Sequence, residues 1–157
     1  MLTYFAYGAN IDAARMTRRV PGVKSVGVGR LDGYSLEFTV RDREWGGGVA
    51  NIRSDRDGRV WGVLWRGRDA AFAVLDTYQG DESAQRREQV KVDAPEGIVE
   101  AFTYRVDGIA NHVKPTALYL SHMRRAMAEQ GFPGEAIELL IRAERLGPTE
   151  TGPSIVS

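Results

Sequence analysis

Apolar and polar positions change their spacing several times along this chain, and each change marks a predicted element. Leu2 to Tyr7 is a short apolar and aromatic run that stops at Gly8, which reads as a buried strand opening into a loop. Asn10 or Asp12 then stands where a short helix through about Arg18 would be capped, and Pro21 limits its length. Lys24 to Arg30 and Tyr34 to Val40 carry the β-branched and aromatic residues of strands. Asp32-Gly33 supplies turn chemistry between them, so the two runs are expected to pair. In the same way Val49 to Ile52 and Val60 to Trp65 flank Asp57-Gly58, which predicts a hairpin.

From Asp69 the spacing becomes helical. Ala70, Ala71, Val74, Leu75 and Tyr78 recur on one face, and Gly80 is placed to end the helix, with Gln79 at its C-terminal edge. Gln89 to Val92 and Val99 to Val106 read as two further strands joined through Ala94-Pro95-Glu96-Gly97. The last third is helical: Pro115 suits a first turn, Leu118, Tyr119, Met123 and Met127 share a face until Gly131, and Pro133 opens a second helix through about Arg145. Residues 147–157 hold two prolines and no periodicity, so one domain is expected over 1–146, followed by a loose tail. This order of elements describes a mixed α/β domain, α+β-like, without the regular alternation of a doubly wound sheet.

Composition narrows the partners. A chain of 157 residues with 43% hydrophobic content buries one substantial core. Lys plus Arg and Asp plus Glu both total 21, so no global field favours nucleic acid or an anionic membrane, and a small-molecule ligand fits better. The absence of cysteine removes thiolate nucleophiles and thiolate metal sites and suits a reducing cytoplasm. No run approaches the roughly 20 apolar residues of a membrane span, and a soluble cytoplasmic protein is expected. Homodimer formation stays open.

Several chemistries lack their residues. No Gly-x-Gly-x-x-Gly opens a helix, and Trp45-Gly46-Gly47-Gly48 is not followed by the Lys-Ser or Lys-Thr of a phosphate-binding loop; its glycines are expected to serve a bulge or a close backbone approach. His112 and His122 have no helical metal-pair spacing and are assigned surface or capping roles, and no metal site is expected. No serine sits in a Gly-x-Ser-x-Gly elbow.

Five segments carry a more specific message. Tyr4-Phe5-Ala6-Tyr7-Gly8-Ala9-Asn10, Trp45 to Ile52, Val60 to Trp65, Leu75-Asp76-Thr77-Tyr78-Gln79-Gly80, and Tyr119 ahead of Gly131-Phe132-Pro133 occur in the order found in gamma-glutamylcyclotransferases. On these segments, which span about Met1 to Arg145, the chain resembles that family. The resemblance implies a small mixed β-barrel flanked by helices and no cofactor. It also implies a reaction in which the substrate's α-amine attacks its own γ-carbonyl, giving 5-oxoproline and a free amine. Such a ring closure is intramolecular, so a pocket must chiefly fold the glutamyl chain into a near-attack conformer. Proton handling is the harder part, because the amine must lose a proton and the leaving group must gain one.

The resemblance places substrate binding on Tyr7, Gly8, Ala9 and Asn10, whose backbone N–H groups suit a carboxylate or an oxyanion, and on Tyr119. The family's usual serine is Ala9 here, which removes a hydroxyl but no backbone donor. The family's acid/base glutamate is Gln79 here, an amide of nearly the same shape that neither takes up nor delivers a proton at neutral pH. Three readings follow: a Glu→Gln change in an otherwise active enzyme, a non-catalytic ligand-binding descendant, or a carboxylate supplied by Asp76, Asp81 or, best placed of these, Glu82, as in a deprotecting enzyme of specialised metabolism. Asp76 is otherwise expected to cap or support the turn. Arg41, Arg43, Trp45, Arg86 and Arg87 are candidates for the pocket's rim.

Overall fold

The computed structural model describes residues 1–78, 85–107 and 111–145. Its strands are β1 (Leu2–Ala6), β2 (Lys24–Asp42), β3 (Gly47–Gly67), β4 (Gln85–Ala94) and β5 (Gly97–Val106). Its helices are α1 (Ala13–Arg19), α2 (Asp69–Tyr78), α3 (Ala117–Gln130) and α4 (Gly134–Glu144), with a 3-10 turn at Ala9–Ile11. The strands close into a barrel in the order β1-β3-β2-β4-β5. Neighbours run antiparallel except at the closure, where β1 meets β5 in parallel with Tyr4 beside Phe102. That closure is short, and side chains reinforce it: Thr103 Oγ1 donates to the Phe5 carbonyl at 2.7 Å and Tyr7 Oη to the Tyr104 carbonyl at 2.6 Å. The mixed barrel with flanking helices is the architecture implied by the sequence resemblance.

Two expected turns are not turns. The chain runs through Asp32-Gly33 and through Asp57-Gly58, so β2 is 19 residues long and β3 is 21. Val49–Ile52 and Val60–Trp65 therefore do not pair with each other; Val49 lies opposite Val40, Ile52 opposite Leu36, Val60 opposite Leu31 and Trp65 opposite Ser25, all on β2. Lys24–Arg30 and Tyr34–Val40 likewise belong to one strand. Gly33 has φ +90° at a register shift, and pairing jumps from Tyr34–Ser54 to Asp32–Arg59. The same residue chemistry that serves a hairpin turn serves a bulge, and long strands that bend around a closed barrel need bulges to turn the corner. The true hairpin connection is Arg43–Gly46: the Gly46 amide donates to the Asp42 carbonyl at 3.0 Å and the Trp45 amide to Asp42 Oδ1 at 3.1 Å.

Other local signals hold. Asp12 caps α1, its carboxylate accepting from the Arg15 amide at 3.1 Å. Thr116 caps α3 through its hydroxyl, so Pro115 lies just ahead of the helix and not in its first turn. Pro133 occupies the N-cap of α4. The glycines after Trp45 serve a close approach: a Cβ on Gly48 would lie 1.8 Å from the Val113 carbonyl oxygen. The expected tail, 147–157, lies outside the described residues.

Both faces of the barrel are buried. Phe5, Leu31, Ile52, Val60, Leu64, Val90, Val92 and Ala101, all from strands, pack together as an inner core. The alternate residues Tyr4, Ala6, Val63 and Trp65 face a second core with Phe72, Leu75, Tyr119, Met123 and Leu140 from the helices. This is why the strands read as near-continuous apolar runs with little alternation. Among the described residues no helix is long and apolar enough to cross a membrane.

Candidate active site

At the C-terminal end of β1 the chain leaves the barrel through Tyr7 and Gly8 and enters the 3-10 turn. A cleft opens there, walled by this loop, by Arg15 and Arg19 of α1, by the hairpin from Asp42 to Asn51, by Tyr104–Val106 at the end of β5, and by Tyr119 of α3. The structure thus brings together all five sequence-predicted binding residues, Tyr7, Gly8, Ala9, Asn10 and Tyr119, from segments far apart in sequence. Gln79, Asp81 and Glu82 lie outside the described residues. Asp76, three positions before Gln79, is engaged by the Tyr104 hydroxyl, and the Tyr104 ring belongs to the cleft wall.

The loop is held from several sides. Arg15, 9% exposed, reaches Asn10 Oδ1 at 3.3 Å through Nε and grips Glu44 with both terminal nitrogens at 3.2 and 3.0 Å, its guanidinium lying 5.3 Å from the Trp45 ring centre. Asn10 Nδ2 donates to Tyr4 Oη at 3.3 Å, and its carbonyl accepts from Trp65 Nε1 at 3.0 Å. The Arg15 bonds hold the Glu44 carboxyl below the usual glutamate range. The stabilisation from that pair is present above the ordinary glutamate pKa and is lost as pH falls through the depressed value. Asn51, buried, copies a backbone pair: its Oδ1 accepts from the Val106 amide and its Nδ2 donates to the Val106 carbonyl, both at 3.0 Å.

Burial pushes the Tyr4 phenol up to about 12, partly offset by its bond from Asn10, and raises those of Tyr7 and Tyr119 well above the ordinary value. All three hydroxyls therefore stay protonated at neutral pH. Tyr7 spends its proton on Tyr104, whereas Tyr119 Oη accepts from the Ala50 amide at 3.0 Å and keeps its own proton for the cleft. A Cβ on Gly8 would lie 3.4 Å from that hydroxyl, so glycine leaves room beside the loop.

Several sequence assignments need correction. His122, half-buried, does more than the expected surface or capping role: Nε2 lies 3.2 Å from the Ala9 carbonyl, and the ring packs 4.9 Å from Trp45. Asp76 does more than support a turn, since Arg87 binds both its oxygens at 3.0 and 3.2 Å. Of the proposed rim residues only Trp45 lines the cleft. Arg86 is held by Asp107, and Arg87 by Asp69 and Asp76 over the Phe102 ring; Arg41 and Arg43 are not among the lining residues. Arg15, Arg19, Asp42, Glu44, Asn51, Tyr104 and Arg105 were not foreseen. Only Arg15, one helical turn beyond Asn10 and Ile11 on a face otherwise directed inward, carried a signal that could have shown it.

A closed five-stranded barrel flanked by helices, with a polar cleft at the end of β1 walled by a glycine loop and neutral tyrosines, defines a small mixed α/β barrel domain. The family model described as gamma-glutamyl cyclotransferase, AIG2-like, matches residues 4–122. Gamma-glutamylcyclotransferases of Bos taurus and Homo sapiens are 30% and 31% identical over 139 and 144 residues, covering 84% and 87% of this chain and 73% and 76% of theirs. A solved structure of a gamma-glutamyl cyclotransferase is similar with a TM-score of 0.82 at 29% identity, covering 89% of this chain and 86% of that one. The chain belongs to the gamma-glutamyl cyclotransferase family.

Proposed function

We propose that the cleft binds the gamma-glutamyl group of an amide or peptide and that, with glutamate at position 79, the protein cyclises it to 5-oxoproline and releases the amine. The observation that carries this reading is the convergence of Tyr7, Gly8, Ala9, Asn10 and Tyr119 on one cleft in a member of this family. The amides of Ala9 and Asn10 open the 3-10 turn, where N–H groups have no partner within the turn, and are suited to a carboxylate or to the oxygen that gains charge during ring closure. Tyr119 adds a hydroxyl donor fixed by its bond from Ala50. These groups fold and orient the ligand, and a glutamate at position 79 moves the proton. A chain without cysteine suits a reducing cytoplasm as its place of action.

Gln79 in the sequence favours a second reading for the chain as it stands, recognition without turnover. Both readings require binding. Tyr119→Phe keeps the ring in the core but removes the hydroxyl and strands the Ala50 amide. It is expected to weaken binding of gamma-glutamyl methylamide, measured by calorimetry, by about 5- to 30-fold, and to lower Tm by about 2–8 °C. An unchanged dissociation constant would remove Tyr119 from the site.

A further inference from the structure

The charges on the cleft wall do not all cancel. Arg15 and Arg19 are engaged by Glu44, and Arg105 lies 3.3 Å from Glu88 and 3.1 Å from Asp107. Asp42 is different. It lines the cleft half-buried, one oxygen accepts from the Trp45 amide at 3.1 Å, and among the described residues no cation forms an ion pair with it. Its charge is felt at the Tyr119 phenol, whose upward shift comes first from burial and then, among the charges, from Asp42. The wall that Asp42 shares with Tyr119 therefore holds a carboxylate oriented by the backbone and, among the described residues, lacking a counter-ion.

A gamma-glutamyl ligand carries one α-carboxylate and one α-ammonium. The loop amides serve the anion; the cation needs a carboxylate, and position 79 supplies an amide in this chain. We infer that Asp42 is the residue that receives the ligand's α-ammonium and makes the site prefer gamma-glutamyl over glutaryl groups, which carry the carboxylate but no ammonium. This rests on the gamma-glutamyl reading of the cleft. An ammonium held by Asp42 stays protonated, so the contact gives recognition without supplying the base that ring closure needs.

The test compares two ligands in calorimetry at neutral pH: gamma-glutamyl methylamide, whose only cation is the α-ammonium, and glutaryl methylamide, which lacks it. Asp42→Asn keeps an oxygen to accept from the Trp45 amide, so the hairpin persists and Tm is expected to stay within about 4 °C. The unmodified chain is expected to prefer the gamma-glutamyl ligand by about 10- to 100-fold, and Asp42→Asn to reduce that preference below about threefold. If the substituted chain keeps the full preference, the assignment of Asp42 is overturned. If the unmodified chain binds both ligands equally, Asp42 is also overturned as an ammonium site. If it binds neither, the gamma-glutamyl reading itself fails and takes the inference with it.

Discussion

Replacing Gln79 by glutamate is expected to raise the rate of 5-oxoproline release from a gamma-glutamyl amide by about 10²–10⁴-fold. On the proposed reading the cleft already holds the groups that fold and orient the ligand: the glycine loop fixed by Arg15 and Trp65, the Tyr119 hydroxyl, and the Asp42 carboxylate. The missing part is a group that takes a proton from the α-amine and returns one to the departing nitrogen, and an amide does neither at neutral pH. Asp76 is a poor substitute, because Arg87 occupies both of its oxygens and the Tyr104 hydroxyl adds a third bond. If instead the unmodified chain turns over at a comparable rate and Glu82→Ala abolishes it, the carboxylate has moved to Glu82 and position 79 is no longer the acid/base site.

The largest expected loss of stability comes from Gly48→Ala. The added methyl would lie 1.8 Å from the Val113 carbonyl oxygen and 2.7 Å from its carbon, both backbone, so no side chain can swing away to relieve it. The same junction is held by the Gly48 amide donating to the Lys114 carbonyl and by the Val113 amide donating to the Phe38 carbonyl. Moving the 113–114 segment away from β3 breaks these bonds, and the expected cost is about 3 kcal/mol or more, a fall in Tm of about 6–12 °C. Gly134→Ala is the control, since a Cβ there meets nothing within 4 Å. Thermal melts of the two variants side by side check the pair: Gly48→Ala should melt well below the parent and Gly134→Ala at or slightly above it.

Strand content and helix ends were legible because they depend on local chemistry. Asp12 and Pro133 act within a few residues of themselves, and the apolar runs of β1 and β3 show burial on both faces. Pairing was less legible. Asp32-Gly33 and Asp57-Gly58 satisfy a turn and a bulge equally well in local terms, and only closure of the barrel selects the bulge. That error hid part of the site. With the hairpin placed at 57–58, residues 42–45 were not seen as the turn that brings Asp42 and Glu44 to the cleft beside Trp45, which had been placed at its rim. His122 and Asn51 were missed for a related reason: each acts on backbone groups from distant segments, Ala9 and Val106, and sequence spacing carries no trace of that contact.

The resemblance added what local reading did not supply, namely the roles of the loop and of position 79. The geometry then turned Tyr119 from a residue that periodicity assigns to a helix core into one that is both core and wall, 1% exposed yet with its hydroxyl at the cleft. Its neighbours Trp45 and Phe38, at ring separations of 5.2 and 6.1 Å, fix the ring while Ala50 fixes the oxygen.

On the proposed reading this cleft recognises a gamma-glutamyl group, and the side chain at position 79 decides whether recognition becomes cyclisation. Mass spectrometry of 5-oxoproline released from gamma-glutamyl methylamide, with the unmodified chain and Gln79→Glu assayed together, tests it most directly. Rapid release by the glutamate variant and slow or undetectable release by the unmodified chain are expected, with both binding the ligand. Binding by both with release by neither would contradict it.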